Sequence, residues 1–234
     1  MSAFLKVNQI VKKFGGFYAV NGLSFELKQG EILGLVGPNG SGKTTCINVL
    51  SGIYPADGGT VEFDGKIIHK MPAYKISNIG INRTYQVPKC FHSLTVKENI
   101  DVALAHAKQK PEVDPVEFLE LKNILGRNAG SLNTAQQKTL DLARALATSP
   151  KLLLVDELAA GLNPEETASM TKKLLYLSSQ GVSIIVVEHL LSFVNALTKR
   201  VIVMNAGKEI FEGDMESASK DPLVNQVYLG GDAV

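Results

Sequence analysis

Apolar positions fall into three textures along the 234-residue chain. In the first third they form short runs, Leu5 to Val11, Leu23 to Leu27 and Thr60 to Phe63, with glycines between them. Their alternating or β-branched character predicts strands, because strand side chains switch faces with a period of two. The turn Lys28-Gln29-Gly30 then feeds an apolar run, Ile32 to Val36, that ends in a glycine-rich loop. Thr44 to Leu50 beyond that loop reads as a helix. From about Val87 to Ser149 the pattern is mostly helical, holds Pro88, Pro111 and Pro115, and lacks strand alternation. It reads as a helical insertion, over 87–149, in one domain spanning 1–234.

After Pro150 the texture changes back. Leu152 to Val155 is continuously apolar, as a strand buried on both faces of a parallel sheet must be. Glu165 to Ser179 reads as an amphipathic helix, and Val182 to Val187 as a second buried strand. Val201 to Met204 and Lys208 to Phe211 flank Asn205-Ala206-Gly207 as a hairpin would. Strands alternating with helices predict an α/β core with a mostly parallel sheet, joined to an antiparallel N-terminal β subdomain.

Charge removes one class of partner. Lys and Arg number 24 against 23 Asp and Glu, a net charge of +1, so nothing electrostatic argues for nucleic acid. Mean hydropathy is slightly apolar at +0.08, yet no run approaches the ~18 apolar residues that span a bilayer. The start, MSAFLKVNQIVKKF, lacks a basic segment followed by an apolar one, which argues against secretion. Cys46 and Cys90 show no paired spacing, so neither a disulfide framework nor a zinc site is expected, and a reducing compartment fits.

The chemistry is concentrated in three places. Gly37-Pro38-Asn39-Gly40-Ser41-Gly42-Lys43-Thr44 matches GxxxxGK[ST] in full. Glycines let the backbone fold around a phosphate and aim successive N–H groups inward, while the following helix offers its positive end. Lys43 can reach β- and γ-phosphates, and the Thr44 hydroxyl is placed to ligate Mg²⁺. A chance match in a chain this long has odds of about one per cent. This one also sits between an apolar strand and a helix, which identifies a P-loop NTPase core.

Leu152-Leu153-Leu154-Val155 runs directly into Asp156-Glu157. Carboxylates at a strand's C-terminal end lie where α/β sheets place ligand chemistry. Asp156 would bind Mg²⁺ directly or through water, and Glu157 would be the general base for an attacking water. His189 ends the next strand and could hold that water or a γ-phosphate. His69, His92 and His106 have no such setting and read as surface residues.

In this order, the motifs resemble those of an ABC transporter's ATP-binding subunit, and the resemblance covers nearly the whole chain. It implies an ATPase whose cofactors are ATP and Mg²⁺, with Thr45 added to the nucleotide-binding stretch. Gln86, in Asn82-Arg83-Thr84-Tyr85-Gln86, matches the family's glutamine that touches Mg²⁺ and the water. His189 matches the family's switch histidine. Phe14, in Lys13-Phe14-Gly15-Gly16, matches the aromatic that stacks on adenine, although a buried strand-end phenylalanine is an equally simple reading. The phrases Asn78 to Gln86, Leu94 to Ile100 and Ala159 to Pro164 look most like branched-chain amino-acid importer ATPases, and some of these words are shared with lipid exporters.

The resemblance also exposes departures. Where the family has LSGGQ, which binds the opposite subunit's ATP, this chain has Leu132-Asn133-Thr134-Ala135-Gln136. Each added Cβ occupies space where a phosphate must approach backbone N–H groups. Thr134-x-x-Gln137 also reads as a capping box opening an ordinary helix through Ala147. Leu158 stands in place of the usual proline, and Asn163 where many relatives carry aspartate.

The implied protein is an ATPase that powers a membrane importer. It would dimerise with a second ATP-binding subunit, of the same or another chain, and dock on membrane-spanning permease subunits. It would sit on the cytoplasmic face of the membrane without a covalent anchor. A nucleotide kinase would not explain Gln86, the 131–137 stretch and His189 together. A chromosome-maintenance ATPase would need coiled coils that 87–149 is too short to hold. A regulatory module with little turnover is favoured by the altered signature alone.

Overall fold

The computed structural model describes residues 3–229; the ends of the 1–234 span, residues 1–2 and 230–234, lie outside them. The chain opens with a hairpin of β1 (Leu5–Phe14) and β2 (Phe17–Leu27), followed by β3 (Ile32–Val36) and helix α1 (Lys43–Leu50). Strands β4 (Gly58–Phe63) and β5 (Lys66–Ile67), helix α2 (Ala73–Asn78) and strand β6 (Ile81–Arg83) come next. Three helices then follow without a strand between them: α3 (Val96–His106), α4 (Pro115–Phe118) and α5 (Thr134–Ala147). The alternation resumes with β7 (Leu152–Asp156), α6 (Pro164–Ser179), β8 (Ser183–Val187) and α7 (Leu191–Leu197). A hairpin of β9 (Val201–Asn205) and β10 (Lys208–Gly213) precedes helices α8 (Met215–Lys220) and α9 (Pro222–Leu229).

Two sheets result. The antiparallel sheet has the order β2-β1-β4-β5, and the six-stranded sheet the order β10-β9-β3-β8-β7-β6. In the second, all neighbours pair in parallel except β10, which pairs antiparallel with β9 at one edge. The turn between β9 and β10 holds Ala206 and Gly207 at positive φ, as a two-residue hairpin requires.

The apolar runs of β7 and β8 are buried on both faces. Leu153, Val155, Ile184 and Val186 join a core with α5 and α6. Leu152, Leu154, Ile185 and Val187 join a second core with α1 and the antiparallel sheet. Each such side chain is worth about 1.5–3 kcal/mol when buried, so these strands are held from both sides. Their C-terminal ends share one edge of the sheet, where β3, β6, β7 and β8 all deliver chain into loops.

Several expectations are corrected. β1 and β2 are longer than their alternating stretches, reaching Phe14 and starting at Phe17. A bulge explains this: Gln9 sits at φ 49° and the register with β2 shifts between Val7 and Ile10. The inward face therefore switches phase within β1, which masks the period. The capping box on α5 is also one residue earlier than read. Asn133 is the N-cap; its side chain accepts from the Gln136 N–H, while Gln136 Oε1 accepts from the Asn133 N–H. Gln137 instead donates to the Leu132 carbonyl. Asparagine caps as well as threonine does, so the box had two candidate registers. Helices α2, α7, α8 and α9 were not anticipated; each has eight residues or fewer, too short for a clear period.

Candidate active site

The phosphate loop leaves β3 and enters α1. Gly37 has φ 146° and a Cβ there would stand 2.2 Å from the Met204 carbonyl oxygen. Gly42 has φ 105° and a Cβ would stand 2.2 Å from the Ala19 carbonyl oxygen. Both positions therefore require glycine. No side chain caps α1 at Gly42, so its first N–H groups remain available to an anion. Lys43 and Ser41 lie buried at the base, while Asn39, Gly40 and Thr44 are exposed at the rim; Pro38 and Thr45 are half-buried.

The Lys43 amine donates to the Gly37 carbonyl at 2.8 Å and the Pro38 carbonyl at 2.9 Å. It thus curls back inside its own loop. Burial pulls its pKa down, and the charges of Glu157 and Asp156 oppose that fall. Both carboxylates lie at the end of β7, which is separated from β3 by β8.

Asp156 ends β7 and is 1% exposed. Burial raises its pKa, and the Arg83 guanidinium, 3.0 Å from Oδ2, opposes the rise. Arg83 is held in turn by Asn48 Oδ1 at 2.6 Å and lies over the Tyr85 ring. Asp156 Oδ1 is buried without a hydrogen-bond partner, an acceptor that a cation or a cation-bound water would satisfy. No cluster of three His, Cys, Asp or Glu among the described residues could hold a metal alone. A cation here would lean on nucleotide phosphates and the Thr44 hydroxyl, as Mg²⁺ commonly does.

Glu157 follows at φ 49°, in the left-handed region. Its Oε2 accepts from Gln86 Nε2 at 2.8 Å, and its Oε1 lies 3.1 Å from His189 Nε2. Gln86 and His189 are both exposed, so a carboxylate, an amide and an imidazole meet at an open surface beside the phosphate loop. That trio can orient a water and accept its proton.

Phe14 is 45% exposed, which overturns the buried strand-end reading. Its ring meets Tyr54 edge-on with centroids 5.2 Å apart, and the Lys12 amine lies 5.6 Å from its centroid. Asn133, Thr134, Ala135 and Gln136 stand apart from this site. They open α5 at the surface, where Ala135 and Gln136 border a groove of about 320 Å³ shared with Leu162, Glu165 and Glu166. No hydrogen bond or ion pair among the described residues joins them to residues 37–45.

Sequence reasoning missed Arg83, Lys138, Asp141 and Glu188. Asp141 accepts from the Tyr85 N–H at 2.8 Å and so ties α5 to the segment carrying Gln86. Glu188 accepts from the Ala159 N–H at 2.7 Å, and burial pushes its carboxyl up to about 7. A lone charge on a helix or at a strand end looks in sequence like any solvated residue. Asp141 gave no signal either, because its helix-face neighbours Gln137, Lys138, Arg144 and Ala145 are mostly polar.

Comparison with known proteins converges on one family. A family model described as ABC transporter matches residues 20–160. The chain is 38% identical to the probable branched-chain amino acid transport ATP-binding protein LivG of Archaeoglobus fulgidus, covering 97% of this chain and 95% of that one. It is 33% identical to the high-affinity branched-chain amino acid transport ATP-binding protein BraF of Pseudomonas aeruginosa, covering 97% of each. A crystal structure described as the ADP conformation of an ATP-binding cassette of an ABC transporter has a TM-score of 0.85 at 33% identity. That match covers 98% of this chain and all of the other. The chain belongs to the ABC transporter family, and it is an ATPase of that family.

Proposed function

We propose that this ATPase is the motor of a membrane importer for branched-chain amino acids or similarly small solutes. The meeting of Lys43, Gln86, Asp156, Glu157 and His189 at one sheet edge carries the motor reading. The solute class rests on the relatives at 38% and 33% identity, both described as serving branched-chain amino acid transport.

In this reading residues 37–45 cradle the triphosphate of ATP and the exposed face of Phe14 stacks on adenine. Glu157 takes the proton of the attacking water. His189 and Gln86 orient that water and the γ-phosphate. Thr44, Asp156 and Gln86 would hold Mg²⁺, which neutralises charge on the β- and γ-phosphates. Two subunits sandwich the nucleotides, each site closed by the other subunit's Asn133, Thr134, Ala135 and Gln136.

Closure pulls on membrane-spanning permease subunits. No described helix is long and apolar enough to cross a membrane, so partners must supply the channel in this reading. A groove of about 360 Å³ between the sheet and the helical segment 87–149 is the docking place we assign to them. It is lined by Arg83, Tyr85, Phe91, Val102 and Arg144. That contact puts the chain on the cytoplasmic face. Co-purification from membranes should recover permease chains with multiple spans, and vesicles holding the complex should take up leucine only with ATP. Recovery of the ATPase with no spanning partner would contradict the importer reading.

The altered signature has its own consequence. This chain's nucleotide face is complete, while Thr134 and Ala135 put methyl groups where backbone must approach a phosphate. The favoured assembly is therefore a heterodimer, whose competent site joins this chain's phosphate loop to a partner's intact signature. Changing Asn133→Ser, Thr134→Gly and Ala135→Gly together should raise turnover of the isolated dimer by about tenfold or more, since one well-aimed donor is worth that much. The gain in the native complex should be smaller. Brisk turnover of the unaltered isolated protein, with no gain on substitution, would show these residues to be working replacements.

A further inference from the structure

Two oppositely charged side chains lie buried behind Glu157 and have no part in the chemistry above. Lys138, on α5, is 4% exposed, and Glu188, at the end of β8, is 2% exposed. The Lys138 amine donates to the Glu157 carbonyl, and to the Ala160 carbonyl at 2.7 Å. Both its hydrogen bonds therefore go to the turn that carries Glu157. Glu188 grips the same turn by accepting from the Ala159 N–H at 2.7 Å, and the Glu157 N–H donates to the Val187 carbonyl at 2.9 Å.

The turn needs such fastening. Glu157 is an L-residue held at φ 49°, a conformation that persists only where its surroundings over-determine it. Released, the turn would relax and carry the carboxylate away from Gln86 and His189. An ammonium is also a costly way to fill a core, because burial disfavours its charge. A purely structural position on α5 would be served as well by methionine or leucine, like the buried Leu140 and Leu142 beyond it.

We propose that Lys138 is a positioning residue for ATP hydrolysis: it holds the Glu157–Ala160 turn so that the Glu157 carboxylate stays in register with Gln86 and His189. The inference rests on the reading of Glu157 as general base. It adds a link between sites. Lys138 sits two residues beyond Asn133–Gln136, the segment assigned to the partner's nucleotide. One helix thus connects the partner's site to this chain's own base.

The test compares Lys138→Met and Lys138→Arg in the assembled complex. Steady-state hydrolysis gives kcat and KM, and a fluorescent ATP analogue gives affinity. Lys138→Met should lower kcat by about 10²-fold, the cost of a small misplacement of a reacting group. ATP affinity should stay within about twofold, because Lys138 has no bond to the phosphate loop. Lys138→Arg should recover kcat to within about threefold, since a guanidinium has donors for both carbonyls. If Lys138→Met does not fold, Lys138→Leu, which also lacks a donor, carries the same comparison with Lys138→Arg. Unchanged kcat in Lys138→Met, a parallel loss of affinity, or equal damage from Lys138→Arg would overturn the proposal. A Glu157→Gln arm separates the two ideas. Hydrolysis lost there but kept in Lys138→Met refutes only the role of Lys138, and hydrolysis kept in both refutes Glu157 as the base.

Discussion

Glu157→Gln is expected to leave ATP bound and to cut hydrolysis by about 10²- to 10⁴-fold, the usual worth of a general base. The substitution is nearly isosteric. Gln86 Nε2 lies 2.8 Å from Oε2 and His189 Nε2 lies 3.1 Å from Oε1, so an amide at this position can keep a contact while losing basicity. Nothing in residues 37–45 changes, and ATP affinity should stay close to that of the parent. A subunit that binds without hydrolysing should also accumulate as a closed dimer, since closure needs nucleotide and reopening needs its cleavage. Phosphate release measured alongside size-exclusion chromatography with ATP reads both effects. Hydrolysis at the parental rate would remove Glu157 from the role of base.

Lys43→Ala should weaken ATP binding by about 10- to 100-fold, the scale of one or two charge-assisted hydrogen bonds. The amine is preplaced: the Gly37 and Pro38 carbonyls hold it inside the loop, and Asp156 and Glu157 face it. On binding it exchanges those carbonyls for phosphate oxygens. AMP offers no β- or γ-phosphate, so its weaker affinity should fall much less. Calorimetry with both nucleotides makes the comparison internal to each protein, and a melting curve shows that the buried substitution leaves the fold intact. Equal losses for ATP and AMP would mean that Lys43 acts on the loop and not on the outer phosphates.

Legibility in sequence followed the range of the interactions. The phosphate loop was readable because its demands are local: Gly37 and Gly42 have no room for a Cβ, and both fall inside eight consecutive residues. Asp156 and Glu157 were readable because a strand buried on both faces leaves an unbroken apolar run before them. The supporting charges were not. Lys138 and Glu157 are 19 residues apart, Ala159 and Glu188 are 29 apart, and Arg83 and Asp156 are 73 apart. Their partners exist only once β6, β7, β8 and α5 have assembled. The capping register of α5 failed for a different reason, since Asn133 and Thr134 both offer a side-chain acceptor three residues before a glutamine. Within β1, the bulge at Gln9 hid the true extent of the strand by inverting its alternation.

The structure of the Glu157→Gln protein with Mg²⁺ and ATP tests the central claim most directly. It should show the γ-phosphate against the Lys43 amine, with the side chains of residue 157, Gln86 and His189 around a single water in line with it. The cation should lie among Thr44, Asp156 and Gln86, and a second subunit's α5 N-terminus should cover the outer face. A nucleotide bound away from residues 37–45, or a γ-phosphate out of reach of the residue 157 side chain, would contradict the assignment of this edge as the hydrolytic site.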